Sequence, residues 1–213
     1  GARGVYRRKD GGRMRYTASD VAGPFLLFTK FDESQSKVLR FRQVLAALRE
    51  RVAQTAVKGC PDRAFRCAIR ELPRAGVDAE EMGLRFAAAI PARYWVGRPL
   101  LTPRFAASDV DVGLRAWRRL YEARRRVACC PGNRYTFLHQ HSAREMDLAW
   151  KGLREVYLDI WVEAGRQRQA MAARLRTLEL KHSQCRQGLE SQWPLQSRGC
   201  RMAADMVKDM EPR

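Results

Sequence analysis

Residues 34–52 read SQSKVLRFRQVLAALRERV. Val38, Phe41, Leu45, Leu48 and Val52 recur at spacings of 3, 4, 3 and 4, which places them on one stripe of an α-helix. Ser34 or Ser36 can cap its start, because a serine hydroxyl accepts a free backbone N–H there. Lys37, Arg40, Arg42, Arg49 and Arg51 occupy the other faces against one acid, Glu50. Such a helix buries its stripe and offers several cations to an acidic partner. A core helix with a solvated basic face accounts for the same pattern.

Composition narrows the partners. Hydrophobic residues make up 46% of the 213, enough for a packed core. The formal charge is +18 and is mostly arginine, which calls for an acidic neighbour: RNA, an acidic protein or anionic lipid. The longest apolar runs, Val44 to Leu48 and Phe86 to Ile90, fall far short of the ~20 residues that cross a bilayer, as does Phe25 to Phe28. Cys60, Cys67, Cys129, Cys130, Cys185 and Cys200 contain no CxxC pair and read as reduced thiols in a reducing compartment. The chain begins at Gly1, as a removed targeting peptide or a trimmed chain would explain.

The organisation read from the sequence has three parts. Residues 1–33 form a basic arm and an apolar anchor: Arg3, Arg7, Arg8, Lys9, Arg13 and Arg15 face one acid, Asp10. Gly4, Gly11 and Gly12 oppose regular structure there, so the arm orders only on a partner. Residues 34–107 hold the first helix, a short helix through Phe65 and Ile69, and a third from Asp78 with Met82, Phe86, Ala89 and Ile90 inward. An extended segment rich in proline and aromatics (Pro91, Tyr94, Trp95, Pro99, Pro103, Phe105) closes this part and lies on a neighbouring surface. Residues 108–213 begin with a helix whose stripe is Val110, Leu114, Trp117 and Tyr121. A single long helix follows over about 143–181, opened by a Ser142/Glu145 capping box and lined by Met146, Trp150, Leu153, Tyr157, Ile160, Ala164, Met171, Leu175 and Leu178. The tail after it is irregular. No strand pattern stands out, so the expected fold class is all-α.

No catalytic constellation assembles. His139 and His141 lack a carboxylate or cysteine at ligand spacing, and no phosphate loop or nucleophile elbow occurs. The expectation is a non-catalytic protein with no metal site.

Several short pieces carry a family resemblance. Gly23-Pro24-Phe25-Leu26 looks like an N-terminal GPYL, and Ser36 to Arg40 like the lead into a Leu-Tyr-Arg motif. Phe65 to Arg70 resembles a second-helix FACLMR pattern, Tyr94-Trp95 with Pro99 and Pro103 an aromatic, proline-rich exit, and Trp150 to Glu155 with Trp161 a C-terminal helix rich in Trp and Arg. In this order, over about residues 23–175, they resemble the LYR-motif family of small mitochondrial helical proteins. The likeness is nearest to its accessory-subunit members in the β subcomplex of mitochondrial NADH:ubiquinone oxidoreductase (complex I). Arg40-Phe41-Arg42 stands where that family has Leu-Tyr-Arg.

The resemblance implies an LYR-like three-helix bundle that docks an acyl carrier protein, followed by the extended segment and the long C-terminal helix. It implies Lys37, Arg40, Phe41, Arg42 and Arg49 as the docking residues. Leu45, Leu48, Phe65, Ile69 and Phe86 would line a tunnel for the acyl-phosphopantetheine carried by that partner, with no cofactor bound directly. The implied role is that of an accessory subunit scaffolding neighbouring respiratory-complex subunits, peripheral on the matrix side of the mitochondrial inner membrane and without nucleic acid. Two alternatives stand beside it. The charge and the arginine-rich arm suit an organellar ribosomal protein binding rRNA. Ala68 to Ala88 also resembles a helix of a small cytochrome bc1 subunit.

Overall fold

In the computed structural model, residues 4–56, 60–125, 127 and 141–191 are described. The fold is mixed α/β with a curled antiparallel sheet, which overturns the expected all-α class and its three-helix bundle. The chain divides into two compact units, Gly1–Ile90 with Leu101–Arg118, and Pro91–Leu100 with Arg119–Arg213.

The first unit opens with the stretch expected to be an unstructured arm. β1 (Val5–Asp10) pairs antiparallel with β2 (Arg13–Ala22), from Val5 opposite Ala18 to Asp10 opposite Arg13. Gly11 and Gly12 have φ of 56° and 83°, so they form the two-residue loop that a tight hairpin requires. Gly11 and Gly12, expected to oppose regular structure, are what closes the hairpin. A second two-residue loop, Gly23-Pro24, leads into β3 (Phe25–Phe28), which pairs with β2 and with β4 (Arg85–Ile90). The strand order is β1-β2-β3-β4-β5, where β5 is Leu100–Leu101, and β6 (Phe105–Ala106) also pairs with β4.

The first helix forms as its period dictates. α1 (Gln35–Ala56) buries Val38, Phe41, Leu45, Leu48 and Val52. α2 (Pro61–Arg70) brings Phe65 onto Phe25 of the sheet, with ring centroids 4.2 Å apart, and within 5.0 Å of Phe86. The helix expected from Asp78 does not form. Asp78 does act as a cap, its Oδ1 accepting from the N–H of Glu80 and Glu81 at 2.8 and 3.0 Å. Gly83, at φ 55°, then turns the chain, and the alanine-rich run becomes β4. Met82, Phe86 and Ile90 are buried all the same, because extended backbone also presents Phe86 and Ile90 to the core.

α4 (Val110–Arg125), which follows the short α3 (Arg93–Val96), begins in this unit. Val110, Leu114 and Trp117 are buried as expected, whereas Tyr121 is exposed and Leu120 is buried instead. Gly113 lets the helix lie directly on the aromatic core: a Cβ there would stand 2.4 Å from the Phe86 ring. Asp62, at the start of α2, accepts from Arg118 Nε at 2.6 Å. Burial pushes the Asp62 carboxyl up, but the Arg118 guanidinium and the backbone N–H of Arg63 outweigh that and hold it below the usual range.

In the second unit the single long helix is two. α5 (Ala143–Glu163) starts at the expected Ser142/Glu145 capping box and buries Met146, Trp150, Leu153, Tyr157 and Ile160. Gly165, at φ 79°, then ends it, with Gly165 N–H on Val162 O and Arg166 N–H on Trp161 O. α6 (Arg168–Ser191) continues the pattern with Met171 and Leu175 buried, while Ala164 is exposed. Tyr94 and Trp95, expected to dock on another protein, are buried within their own unit. Trp95 stacks on Trp150 at 5.4 Å and donates through Nε1 to Met146 O at 3.2 Å. Trp150 Nε1 in turn donates to Glu179 at 2.9 Å. The tail from residue 192 onward, His139 and three of the cysteines, Cys129, Cys130 and Cys200, lie outside the described residues.

Candidate nucleic-acid interface

The residues assigned to carrier docking sit on α1, and most of them face acids of their own chain. Arg42 binds Asp20 of β2 at 2.9 Å, and Arg49 reaches the same carboxylate at 3.3 Å. Lys37 meets Glu81 at 2.8 Å and Asp32 at 3.8 Å. The hydrogen bond that Lys37 donates to Glu81 raises the Lys37 pKa above its ordinary value. Phe41 is buried beneath the Lys37 ammonium, 5.7 Å from ring centroid to nitrogen. Arg40 is exposed. These pairs hold α1 against the sheet.

The residues assigned to the acyl tunnel, Leu45, Leu48, Phe65, Ile69 and Phe86, are all buried. Phe65 and Phe86 meet in the aromatic core. Leu48 and Ile69 line different surface hollows. One of about 530 Å³ lies between α1 and α2, and one of about 700 Å³ is flanked by Val77, Ser108 and Asp111.

The hairpin is the contrasting region. Arg7, Arg8, Lys9, Arg13 and Arg15 are all exposed. Arg7, Arg8 and Lys9 have no ion-pair partner among the described residues. Arg13 and Arg15 meet Glu33 at 3.5 Å and Asp10 at 3.4 Å, contacts open to water and therefore weak. Arg8 stands directly opposite Arg15 in the ladder. Like charges in that relation destabilise a sheet unless an anion lies between them.

Register decides which side chains share a face. Strand neighbours alternate, and Asp20 and Ala18 point toward α1. Tyr6, Arg8, Arg13, Arg15 and Thr17 therefore point away from it. The chain beyond β3 adds to that outer face. Asp32 bridges Tyr16 and meets Lys37 of α1, so its neighbours Phe31 and Glu33 point outward, and the contact of Glu33 with Arg13 agrees. Phe28 is on the outer face as well, opposite Ser19, with the Arg104 guanidinium 4.2 Å over its ring. Tyr6 is 59% exposed and Phe31 48%. A basic, aromatic sheet surface thus lies on the side of β2 opposite α1.

One close approach fixes the base of the hairpin. Gly4, at φ 88°, accepts from Ser19 N–H at 2.9 Å, and a Cβ on it would stand 2.7 Å from Arg42 Nε. The sequence signal for the hairpin was Asp10-Gly11-Gly12-Arg13, a two-residue turn between polar runs. β1 is polar on both faces, but in β2 Met14, Tyr16 and Ala18 alternate with Arg13, Arg15 and Thr17, a period of two that is the strand signal. No helix among the described residues is long and apolar enough to cross a membrane. No family model, no curated protein and no solved structure matches the chain.

Proposed function

We propose that this protein is a non-catalytic RNA-binding component of a ribonucleoprotein assembly, and that the β1–β2 hairpin is its principal contact. One observation carries the reading: five exposed cations cluster on a two-stranded hairpin, and two of them oppose each other across the ladder. Phosphates relieve that repulsion, and counterion release supplies affinity. The whole-chain charge of +18 favours the same partner. The accessory-subunit reading needs an acidic carrier on α1, where Lys37, Arg42 and Arg49 already bind Glu81, Asp32 and Asp20. Its three-helix bundle is replaced by the sheet.

The test is sedimentation of the protein from its native source with and without ribonuclease, ribosomal subunits being the first assembly to examine. Release by ribonuclease supports the reading. Migration with a respiratory complex, unaffected by ribonuclease, would overturn it.

A further inference from the structure

The outer sheet face points to a narrower ligand than RNA at large. We propose that it is a stacking platform for unpaired bases, so that the ligand is single-stranded RNA with two splayed bases seated on Tyr6 and Phe31. The proposal rests on the RNA reading above and specifies the form of the nucleic acid.

Tyr6 lies opposite Thr17 on β2. Phe31 precedes Asp32, which is opposite Tyr16, so Phe31 comes next to Thr17 from the other side. Between the Ala18–Thr29 contact and the Tyr16–Asp32 bridge the extended chain beyond β3 carries one extra residue, so Lys30 and Phe31 together span the place beside Thr17, and Tyr6 and Phe31 flank that threonine from its two sides. At ~4.8 Å between neighbouring chains, the backbones of Tyr6 and Phe31 stand roughly 10 Å apart. The Thr17 hydroxyl is engaged, donating to Thr29 O at 2.9 Å, so it leaves a floor rather than an obstruction. Arg8 and Arg15 form the next row, one pleat or ~7 Å along the strands. Two exposed rings, with cations one step away, match a strand whose bases stack while its phosphates meet arginine. Arg104 over Phe28 extends the surface with a guanidinium plane on which a further base can stack.

A duplex does not fit the rings, because its bases are already stacked on each other. It engages only the arginines. The two modes therefore respond differently to substitution. An aromatic residue exposed singly on a surface needs no explanation, but two flanking one threonine, beside opposed arginines, are a joint arrangement.

The experiment uses the full chain and two fluorescent probes, a ten-nucleotide oligouridylate and a ten-base-pair RNA duplex, with anisotropy read across a salt series. The wild type should prefer the single strand. The double variant Tyr6→Ala/Phe31→Ala should lose tenfold or more in affinity for it, keep the same salt slope, and bind the duplex as before. Tyr6→Phe should retain binding. Arg8→Glu/Arg15→Glu should weaken both probes and flatten the salt slope. In the wild type, a 4-thiouridine probe should photocrosslink to peptides holding Tyr6 or Phe31, a readout that does not depend on a variant folding. Equal wild-type affinity for both probes, an unaltered double variant, or crosslinks confined to other peptides would overturn the stacking platform while leaving RNA binding in place. Binding of neither probe would overturn the RNA reading itself, and this inference with it.

Discussion

Helix α1 and the β1–β2 hairpin are both rich in arginine and lysine, yet the structure uses their charge in opposite ways. On α1, Arg42 and Arg49 converge on Asp20, whose side chain is only 11% exposed, and Lys37 reaches Glu81. Those cations fasten a helix to a sheet. On the hairpin the acids within reach are few, and the contacts they make are open to water. Charge density along a sequence therefore does not distinguish an internal clamp from a binding surface. The distinguishing fact is where the acids fall in three dimensions, and Asp20 is 22 residues from Arg42 in the chain.

The comparison can be broken most directly at the hairpin. Arg8→Glu/Arg15→Glu should lower RNA affinity by two orders of magnitude or more near physiological salt, and reduce the slope of log K against log salt by about 1.5 to 2, measured by anisotropy. Arg42→Glu should leave RNA affinity within a factor of about three. If Arg42 instead controlled RNA binding, the division between clamp and surface would fail.

Stability should respond the other way round. Asp20→Asn leaves Arg42 and Arg49 without their carboxylate at a partly buried site. The expected loss is about 1–3 kcal/mol by urea denaturation, with RNA binding retained. Gly113→Ala tests the core between α4 and the sheet: the new Cβ meets the Phe86 ring, and overpacking of this kind costs ~1–3 kcal/mol.

A smaller effect sharpens the contrast. Arg8→Glu alone places an acid opposite Arg15, which should stabilise the free protein by about 0.2–1 kcal/mol while weakening RNA binding. The smallest expected effect is in pH dependence. The Asp62 carboxyl is held below its usual range by Arg118, so its contribution is fully present above the unfolded carboxylate value of about 3.9. It is lost as pH falls through the lower folded value. Arg118 is half-exposed, so the pair is worth about 1 kcal/mol or less. Wild type and Asp62→Asn should differ in unfolding midpoint at pH 6, and the difference should shrink as the pH falls through the lowered folded value.

How much of this was legible in the sequence depended on whether a pattern had a single physical cause. The α1 stripe did, because one face of that helix is buried and the rest is wet, so every one of its five apolar positions is in the core. The Ser142/Glu145 box did too, since both of its hydrogen bonds are local. The hairpin did not. Strands reveal themselves through one buried face, and β1 buries almost nothing. β4 was concealed by its alanines, which favour helix in isolation and become strand because β3 pairs with Ala87 and Ala88. The break at Gly165 was concealed by continuity: Met171 and Leu175 of α6 resume an apolar stripe in step with α5, so the period runs across a turn. The cations of α1 were visible as charges, but their partners were not, because Asp20 and Glu81 lie on other elements.

The most direct test of the account is hydrogen–deuterium exchange of the full chain with and without a single-stranded RNA. The account predicts added protection in peptides covering residues 5–22 and 28–33, with peptides of 35–56 unchanged. Protection confined to 35–56, with the hairpin exchanging as fast as in the free protein, would contradict it.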